Sequence, residues 1–120
     1  MFKKFSIFYI TFLLASGVSA EITIDSSKSA FHVGKNVMMC GLVNEVTKFS
    51  KGYYLNFGSK YPRQHISVVV WNGDEEKFNE RFGGLSIFAG RQACVRGMIT
   101  EFRNSLQMNV SNPQFLRLMK

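Results

Sequence analysis

The sequence VGKNVMMCGLV at residues 33–43 is repeated in outline by AGRQACVRGMI at residues 89–99. Each stretch has Gly, a basic residue and a polar residue, then an apolar strand, then Gly and two more apolar residues. A five-stranded barrel of the oligonucleotide/oligosaccharide-binding (OB) type opens and nearly closes with such strands. Its first and fourth strands lie side by side and bend sharply, often at Gly. We therefore predict an all-β fold, a five-stranded OB-fold barrel.

Alternation of apolar and polar residues, broken by Gly, Pro and Asn, predicts the other strands. A leader strand or arm is expected at residues 21–29. The five barrel strands are predicted at 35–47, 53–57, 65–71, 92–101 and 106–110. Gly41 is the expected bend of the first strand. Residues 48–52 are expected to form a basic turn between the first and second strands. The chain shows no linker, low-complexity tract or second domain.

One short helix is predicted between strands three and four, at Glu75–Phe82, where this fold plugs one end of its barrel. Asp74 is expected to cap the helix and Gly83 to stop it. Asn104 is expected to have a positive φ angle in the hairpin before strand five. Phe115 and Leu116 are expected to cover the remaining gap of the barrel.

The first 20 residues have the pattern of a signal peptide, with cleavage after Ala20. Lys3 and Lys4 precede an apolar run, and small residues stand at 18–20. The alternative is an uncleaved anchor helix. Removal of 20 of the 120 residues leaves a domain of 100 residues and, because two lysines leave, lowers the net charge from +7 to +5. The predicted location is periplasmic or secreted, with no integral membrane segment after cleavage.

Two cysteines, Cys40 and Cys94, lie in the predicted mature chain. They share the same phase on two strands expected to be neighbours, so they can meet. Exported proteins encounter an oxidising compartment, which favours one disulfide. The competing interpretation is a redox-active or metal-binding thiol pair, for which only His32 and His65 are available as further ligands.

No sequence pattern indicates catalysis, a metal or a cofactor. The acidic residues 74–76 are explained by the start of the helix, and no phosphate-binding Gly loop, zinc spacing or nucleophile elbow occurs. We predict a binding module and no enzyme. The basic balance is compatible with nucleic acid or another polyanion as partner, or with charge that serves solubility alone.

Two runs resemble a family of exported or envelope bacterial proteins with a nucleic-acid-binding-type OB fold. The first is YLNFG at 54–58, followed by Tyr61-Pro62 and ISVVVW at 66–71; the second spans Gly90 to Arg103. The resemblance covers most of the mature chain. It implies the OB fold, and it supports the disulfide because family members often carry Cys at both positions. Asn104 and residues 105–107 depart from the family pattern, which puts the shape of the hairpin in doubt.

Ligands of this fold cross the outer face of strands two and three, between the loops that flank them. With Leu55, Phe57, Ile66, Val68 and Val70 pointing inward, the outer face carries Tyr54, Asn56, Ser67, Val69 and Trp71. Basic residues are expected in the surrounding loops. The predicted nucleic-acid-binding residues are Tyr54, Asn56, Trp71, Lys48, Lys51, Lys60, Tyr61, Arg63 and Arg103, since single strands require cations for phosphates and flat rings for bases.

Other interpretations of this face stay open. Tyr54 and Trp71 can be structural packing, and Asn56 with Tyr61-Pro62 can serve turn geometry. A protein-interaction or assembly role in the cell envelope fits a rigid, disulfide-linked module equally well. Oligosaccharide or another anionic ligand is a further alternative.

Overall fold

The computed structural model describes residues 21–119. The predicted signal peptide and its cleavage after Ala20 lie outside the described residues. The strands are β1 (Ile22–Asp25), β2 (Asn36–Phe49), β3 (Gly52–Phe57), β4 (Ile66–Trp71), β5 (Gln92–Met98), β6 (Thr100–Phe102), β7 (Ser105–Asn109) and β8 (Leu116–Leu118). The α-helix of this region, α1, is Glu75–Phe82, and short 3₁₀ helices occupy Ser26–His32, Asn72–Asp74, Leu85–Phe88 and Pro113–Phe115.

The strands form one curved sheet in the order β6-β7-β4-β3-β2-β5-β8, with β1 parallel to the start of β2. β4 and β7 are parallel, and the other pairs along this path are antiparallel. Ile99 alone separates β5 from β6, so the chain itself joins the two parts of the sheet. This is the partly open barrel of the OB fold. The predicted fold class is confirmed.

The predicted fourth strand, 92–101, is broken at Ile99 into β5 and β6. The backbone of Ile99 bonds to the chain that enters β2: Gly34 N donates to Ile99 O (2.7 Å) and Ile99 N donates to Lys35 O (3.1 Å). Its side chain is fully buried. The strand therefore turns inward at this residue and changes partner, from β2 to β7.

The two similar stretches are neighbours, as predicted. In the β2–β5 pair Val37 lies opposite Gly97 and Cys40 opposite Cys94, and a disulfide joins Cys40 to Cys94 across a Cα separation of 4.1 Å. The core between these strands and the rest of the barrel contains the predicted inward residues, all with no exposed surface: Leu55, Phe57, Ile66, Val68 and Val70.

Helix α1 has the predicted bounds and buries Phe78 against the core. Gly83 ends it with φ 81°, and its N–H donates to the carbonyl of Asn79. The expected cap at Asp74 is wrong. Asp74 has helical backbone angles because it is the last residue of the 3₁₀ helix Asn72–Asp74, and its carboxylate makes no capping hydrogen bond but pairs with Lys77 Nζ (3.1 Å).

The ends of several elements differ from the prediction. β2 continues to Phe49, so Lys48 belongs to the strand and the turn is Ser50-Lys51. β8 pairs with β5 and buries Leu116, whereas Phe115 stays 41% exposed. Arg103 and Asn104 form the two-residue β6–β7 turn with φ 51° and 66°, which confirms the positive φ of Asn104. Within residues 21–119, no helix is long and apolar enough to span a bilayer.

Candidate binding groove

An open groove of about 630 Å³ crosses the outer face of the sheet. Its floor comes from β2, β3, β4 and β7, and its sides come from the β6–β7 hairpin and the loop between β3 and β4. This is the face on which the sequence predicted a ligand. The groove is lined by Glu45, Thr47, Phe49, Tyr54, Asn56, Tyr61, Gln64, Ser67, Phe102, Arg103, Ser105 and Gln107.

Strand register arranges the outer face of the sheet, which includes the groove floor, in two rows. One row runs Thr47, Tyr54, Val69 and Asn109 across β2, β3, β4 and β7. The next row runs Glu45, Asn56, Ser67 and Gln107. Residues opposite each other on adjacent strands project from the same face, so each row is a contiguous strip of side chains.

An aromatic cluster stands at one end of the floor. The rings of Phe49 and Tyr54 are stacked, with centroids 4.2 Å apart and planes 10° apart, and Trp71 meets Phe49 edge-on at 5.9 Å. Gly52 lies between Phe49 and Trp71 in register and has no side chain, so the two rings can meet across it. Trp71 is 40% exposed, and its Nε1 donates to Asn109 Oδ1 (3.2 Å).

The second row is a chain of hydrogen bonds. Asn56 Nδ2 donates to Glu45 Oε2 (2.8 Å), Ser67 Oγ to Asn56 Oδ1 (2.6 Å) and Gln64 Nε2 to Ser67 Oγ (3.2 Å). The backbone N–H of Tyr61 also donates to Glu45 Oε2 (2.8 Å). This bond, followed by the one from Asn56, holds the pKa of Glu45 below its usual value. Glu45 thus fixes the loop onto the sheet and is a carboxylate at neutral pH.

Some predicted site residues lie in or beside the groove. Tyr54, Asn56, Tyr61 and Arg103 line it. Asn56 is only 2% exposed and is held by Glu45 and Ser67, so it supports the floor. Trp71 flanks the groove through its contact with Phe49.

Of the five basic residues predicted for the site, only Arg103 is part of the groove lining. Lys60 and Arg63 are exposed on the loop above the groove, and Lys51 lies in the turn at the Trp71 end, where its carbonyl accepts from Asn72 N. Lys48 is on the wrong face for the predicted site. It follows the alternation of β2 toward the helix side, and its Nζ lies 4.6 Å from the centroid of the Tyr53 ring.

Sequence reasoning missed several residues of the groove. Glu45, Thr47 and Phe49 alternate along β2 and share its outer face, but the predicted turn began at Lys48 and removed Phe49 from the strand. Extending the alternation by two residues would have placed Phe49 opposite Gly52. Phe102, which is 54% exposed, was assigned only to the turn, and Arg103 lies over its ring at 5.1 Å.

The side chains that line the groove are mostly aromatic or uncharged polar groups. Its lining includes one carboxylate and no His or Cys, and residues 21–119 contain no group of three or more His, Cys, Asp or Glu placed to hold a metal. Elsewhere, Ser26 Oγ and His65 Nδ1 are 2.9 Å apart, but Ser26 is 2% exposed and packs against Gly41, so a substrate has no access to its hydroxyl.

No family model matches the sequence, so the resemblance to an exported bacterial family has no support from that comparison, and no curated protein matches either. Solved structures do match. A chain of the S. pombe Stn1–Ten1 complex gives a TM-score of 0.54 at 18% identity, covering 71% of this chain and 58% of that one. An OBody bound to hen egg-white lysozyme gives a TM-score of 0.59 at 13% identity, covering 86% of this chain and 98% of that one. A putative aspartyl-tRNA synthetase from Leishmania major Friedlin gives a TM-score of 0.58 at 14% identity, covering 87% of this chain and 22% of that one. The chain has an OB fold.

Proposed function

We propose that the protein is an exported, non-catalytic module that binds single-stranded nucleic acid in the groove. The aromatic cluster carries this proposal. Phe49, Tyr54 and Trp71 form a contiguous surface on the ligand-binding face of the fold. The exposed rings of Tyr61 and Phe102 lie on the two sides of the groove, on the β3–β4 loop and the β6–β7 hairpin. Bases stack on such rings, each stack being worth about 1–3 kcal/mol.

Charge around the groove supports the same ligand. Arg103 on the hairpin lines the groove, Lys60 and Arg63 are exposed on the β3–β4 loop that forms one side of it, and Lys51 is exposed in the turn before Gly52; these are the cations offered to phosphates. The chain that starts at Glu21 would carry a formal charge of +5, because Lys3 and Lys4 leave with the first 20 residues. One similar structure is a putative aspartyl-tRNA synthetase, an enzyme named for a nucleic-acid substrate.

Export is supported by the sequence of residues 1–20 and by the disulfide. Disulfides persist in oxidising compartments, so a Cys40–Cys94 bond agrees with a periplasmic or secreted protein. N-terminal sequencing of the protein recovered from its host tests this part. A chain that starts at Glu21 supports cleavage after Ala20, and a chain that retains Met1 in the cytoplasm contradicts it.

A protein partner in the cell envelope is the second candidate. The OBody in the similar structure is bound to lysozyme, so an OB fold of this shape is compatible with a protein ligand. The exposed rings of Tyr61, Trp71 and Phe102 suit an interface as well as they suit bases. An envelope partner would be retained by the wild type in co-purification and lost when these rings are removed.

The experiment is a titration of a labelled oligothymidylate, followed by fluorescence anisotropy. Tyr54→Ala removes one ring of the stacked pair and should weaken binding by about 1–3 kcal/mol. Phe31→Ala is the matched control, because Phe31 is 75% exposed and lies outside the groove. Absence of binding by folded wild type, or equal losses in both variants, would contradict the proposal and favour the protein partner.

A further inference from the structure

A second hollow, of about 240 Å³, lies on the outer face of the sheet where β5 pairs with β8. It shares no lining residue with the groove, and its lining contains two arginines and no acidic residue. It is lined by Met38, Cys94, Arg96, Gln114, Phe115 and Arg117. The hollow therefore concentrates positive charge that the proposed function does not use.

Strand register places the two arginines near each other. Arg117 on β8 lies opposite Cys94 on β5, and Arg96 follows two positions further along β5 on the same face. Such diagonal neighbours on adjacent strands are about 7–8 Å apart, a distance that long side chains can span. Both arginines are exposed. Their guanidinium groups can therefore turn toward one small ligand between them.

Most of the donors on these two arginines are unused within residues 21–119. Arg96 Nε donates to Glu21 Oε1 (2.9 Å), and the one other ion pair in this range joins Lys77 to Asp74. Arg117 has no acidic partner there, so a single carboxylate faces two guanidinium charges. Like charges on adjacent strands repel each other, and an added anion would relieve this repulsion.

The ring of Phe115 helps to hold one of the two guanidinium groups. Arg96 Cζ lies 5.8 Å from the centroid of this ring, within the range of a cation–π contact. The strand beneath is also fixed, because Cys94 is disulfide-bonded to Cys40. A guanidinium held in this way keeps its planar fork of N–H donors ordered, and that fork matches the oxygens of a phosphate or a carboxylate.

We propose that this hollow binds a small oxyanion, a phosphate or carboxylate group, between Arg96 and Arg117. The Glu21 carboxylate shows how an oxyanion meets Arg96. A volume of about 240 Å³ is below the range of about 300–1,000 Å³ that is usual for drug-sized ligands, so it suits one such group. Glu21 competes with the ligand for Arg96 and thereby sets the affinity. The site is independent of nucleic-acid binding in the groove.

The test is a titration of the disulfide-bonded protein with inorganic phosphate and, separately, with acetate, at constant ionic strength and neutral pH. Heteronuclear NMR follows the Nε–Hε signals of the arginines. We expect those of Arg96 and Arg117 to shift along one saturating curve. Arg81 is the internal control, because it also lies over a ring, that of Phe82 at 5.7 Å, but lines neither the hollow nor the groove.

Three variants test the roles of the charges. Arg117→Gln should weaken phosphate binding about tenfold, the loss expected for one charge-assisted hydrogen bond. Arg81→Gln removes the same charge from another place and should leave the affinity unchanged. Glu21→Gln releases Arg96 from its carboxylate and should strengthen binding, a gain that a folding defect cannot produce.

The outcomes decide both the site and its ligand. Tighter binding of phosphate identifies a phosphate ligand, and tighter binding of acetate identifies a carboxylate ligand. Shifts that never saturate with either anion overturn the site. Equal losses in Arg117→Gln and Arg81→Gln also overturn it, since they would reflect net charge alone. An affinity that does not rise in Glu21→Gln overturns the competition at Arg96.

Discussion

At the scale of single residues, Gly52 allows the backbone of β3 to lie close to the backbone of β4. A Cβ at this position would lie 2.2 Å from the carbonyl oxygen of Val70 and 2.9 Å from Trp71 Cα, both backbone atoms that cannot move aside cheaply. Gly52→Ala should therefore lower the free energy of unfolding by about 1–3 kcal/mol in urea denaturation, the range of overpacked sites. Gly73→Ala is the control, because a Cβ there meets nothing within 4 Å. Equal effects of the two changes would contradict this account of Gly52.

Glu45 makes stability depend on pH in the acidic range. The N–H of Tyr61 and then the amide of Asn56 lower the pKa of Glu45 in the folded state below its ordinary value of 4.5. Its contribution is complete above pH 4.5 and is lost as pH falls through the lowered folded-state pKa. Denaturation midpoints should fall less steeply with acidification in Glu45→Gln than in wild type below about pH 5. Parallel curves for the two proteins would show that the bonds to Glu45 contribute no stability.

At the scale of elements, the sequence predicted those with strong local signals. β3, β4 and α1 came from alternation, β-branched residues and the Gly83 stop, and their bounds agree to within a residue. β1 and β8 depend on tertiary partners: each is short, and each forms because β2 or β5 offers it a free edge. The break at Ile99 has no local signal, since it follows from the backbone bonds to Gly34 and Lys35.

The site residues that could be predicted are those whose side-chain direction follows from the alternation along a strand. Tyr54, Asn56 and Ser67 were placed on the outer face from the alternation of β3 and β4, and they line the groove. The position of Gln64 and the bond from Tyr61 N to Glu45 were not predictable, because the loop lacks periodicity and its path depends on that carboxylate. Val69 was placed outward by phase, yet it has no exposed surface.

The β2–β5 pair depends on the Cys40–Cys94 disulfide for part of its stability. The bond closes a loop with a sequence separation of 54 residues. In the chain-entropy model such a loop is worth about 4 kcal/mol. The double variant Cys40→Ser with Cys94→Ser should lose about that amount of unfolding free energy in urea. A midpoint equal to that of the oxidised wild type would contradict a stabilising role.

At the scale of the whole molecule, the distribution of charge limits the salt dependence of binding. Four exposed cations are candidates for phosphate contacts, and of these Arg103 lines the groove: Lys51, Lys60, Arg63 and Arg103. At about 0.7 per phosphate contact on single strands, the slope of log affinity against log salt should be no steeper than about −3. Arg103→Ala should reduce the slope by about 0.7. Lys48→Ala should leave it unchanged, because Lys48 lies on the other face. A larger loss for Lys48 would place the ligand elsewhere.

The position of the ligand is the central claim, and heteronuclear NMR measures it residue by residue. A single-stranded oligonucleotide would be titrated into uniformly labelled protein at low salt. We expect the backbone amide signals of Tyr54, Asn56, Tyr61 and Arg103 to shift together and to saturate. Shifts confined to the separate hollow lined by Arg96, Phe115 and Arg117, or an unchanged spectrum, would contradict binding in the groove.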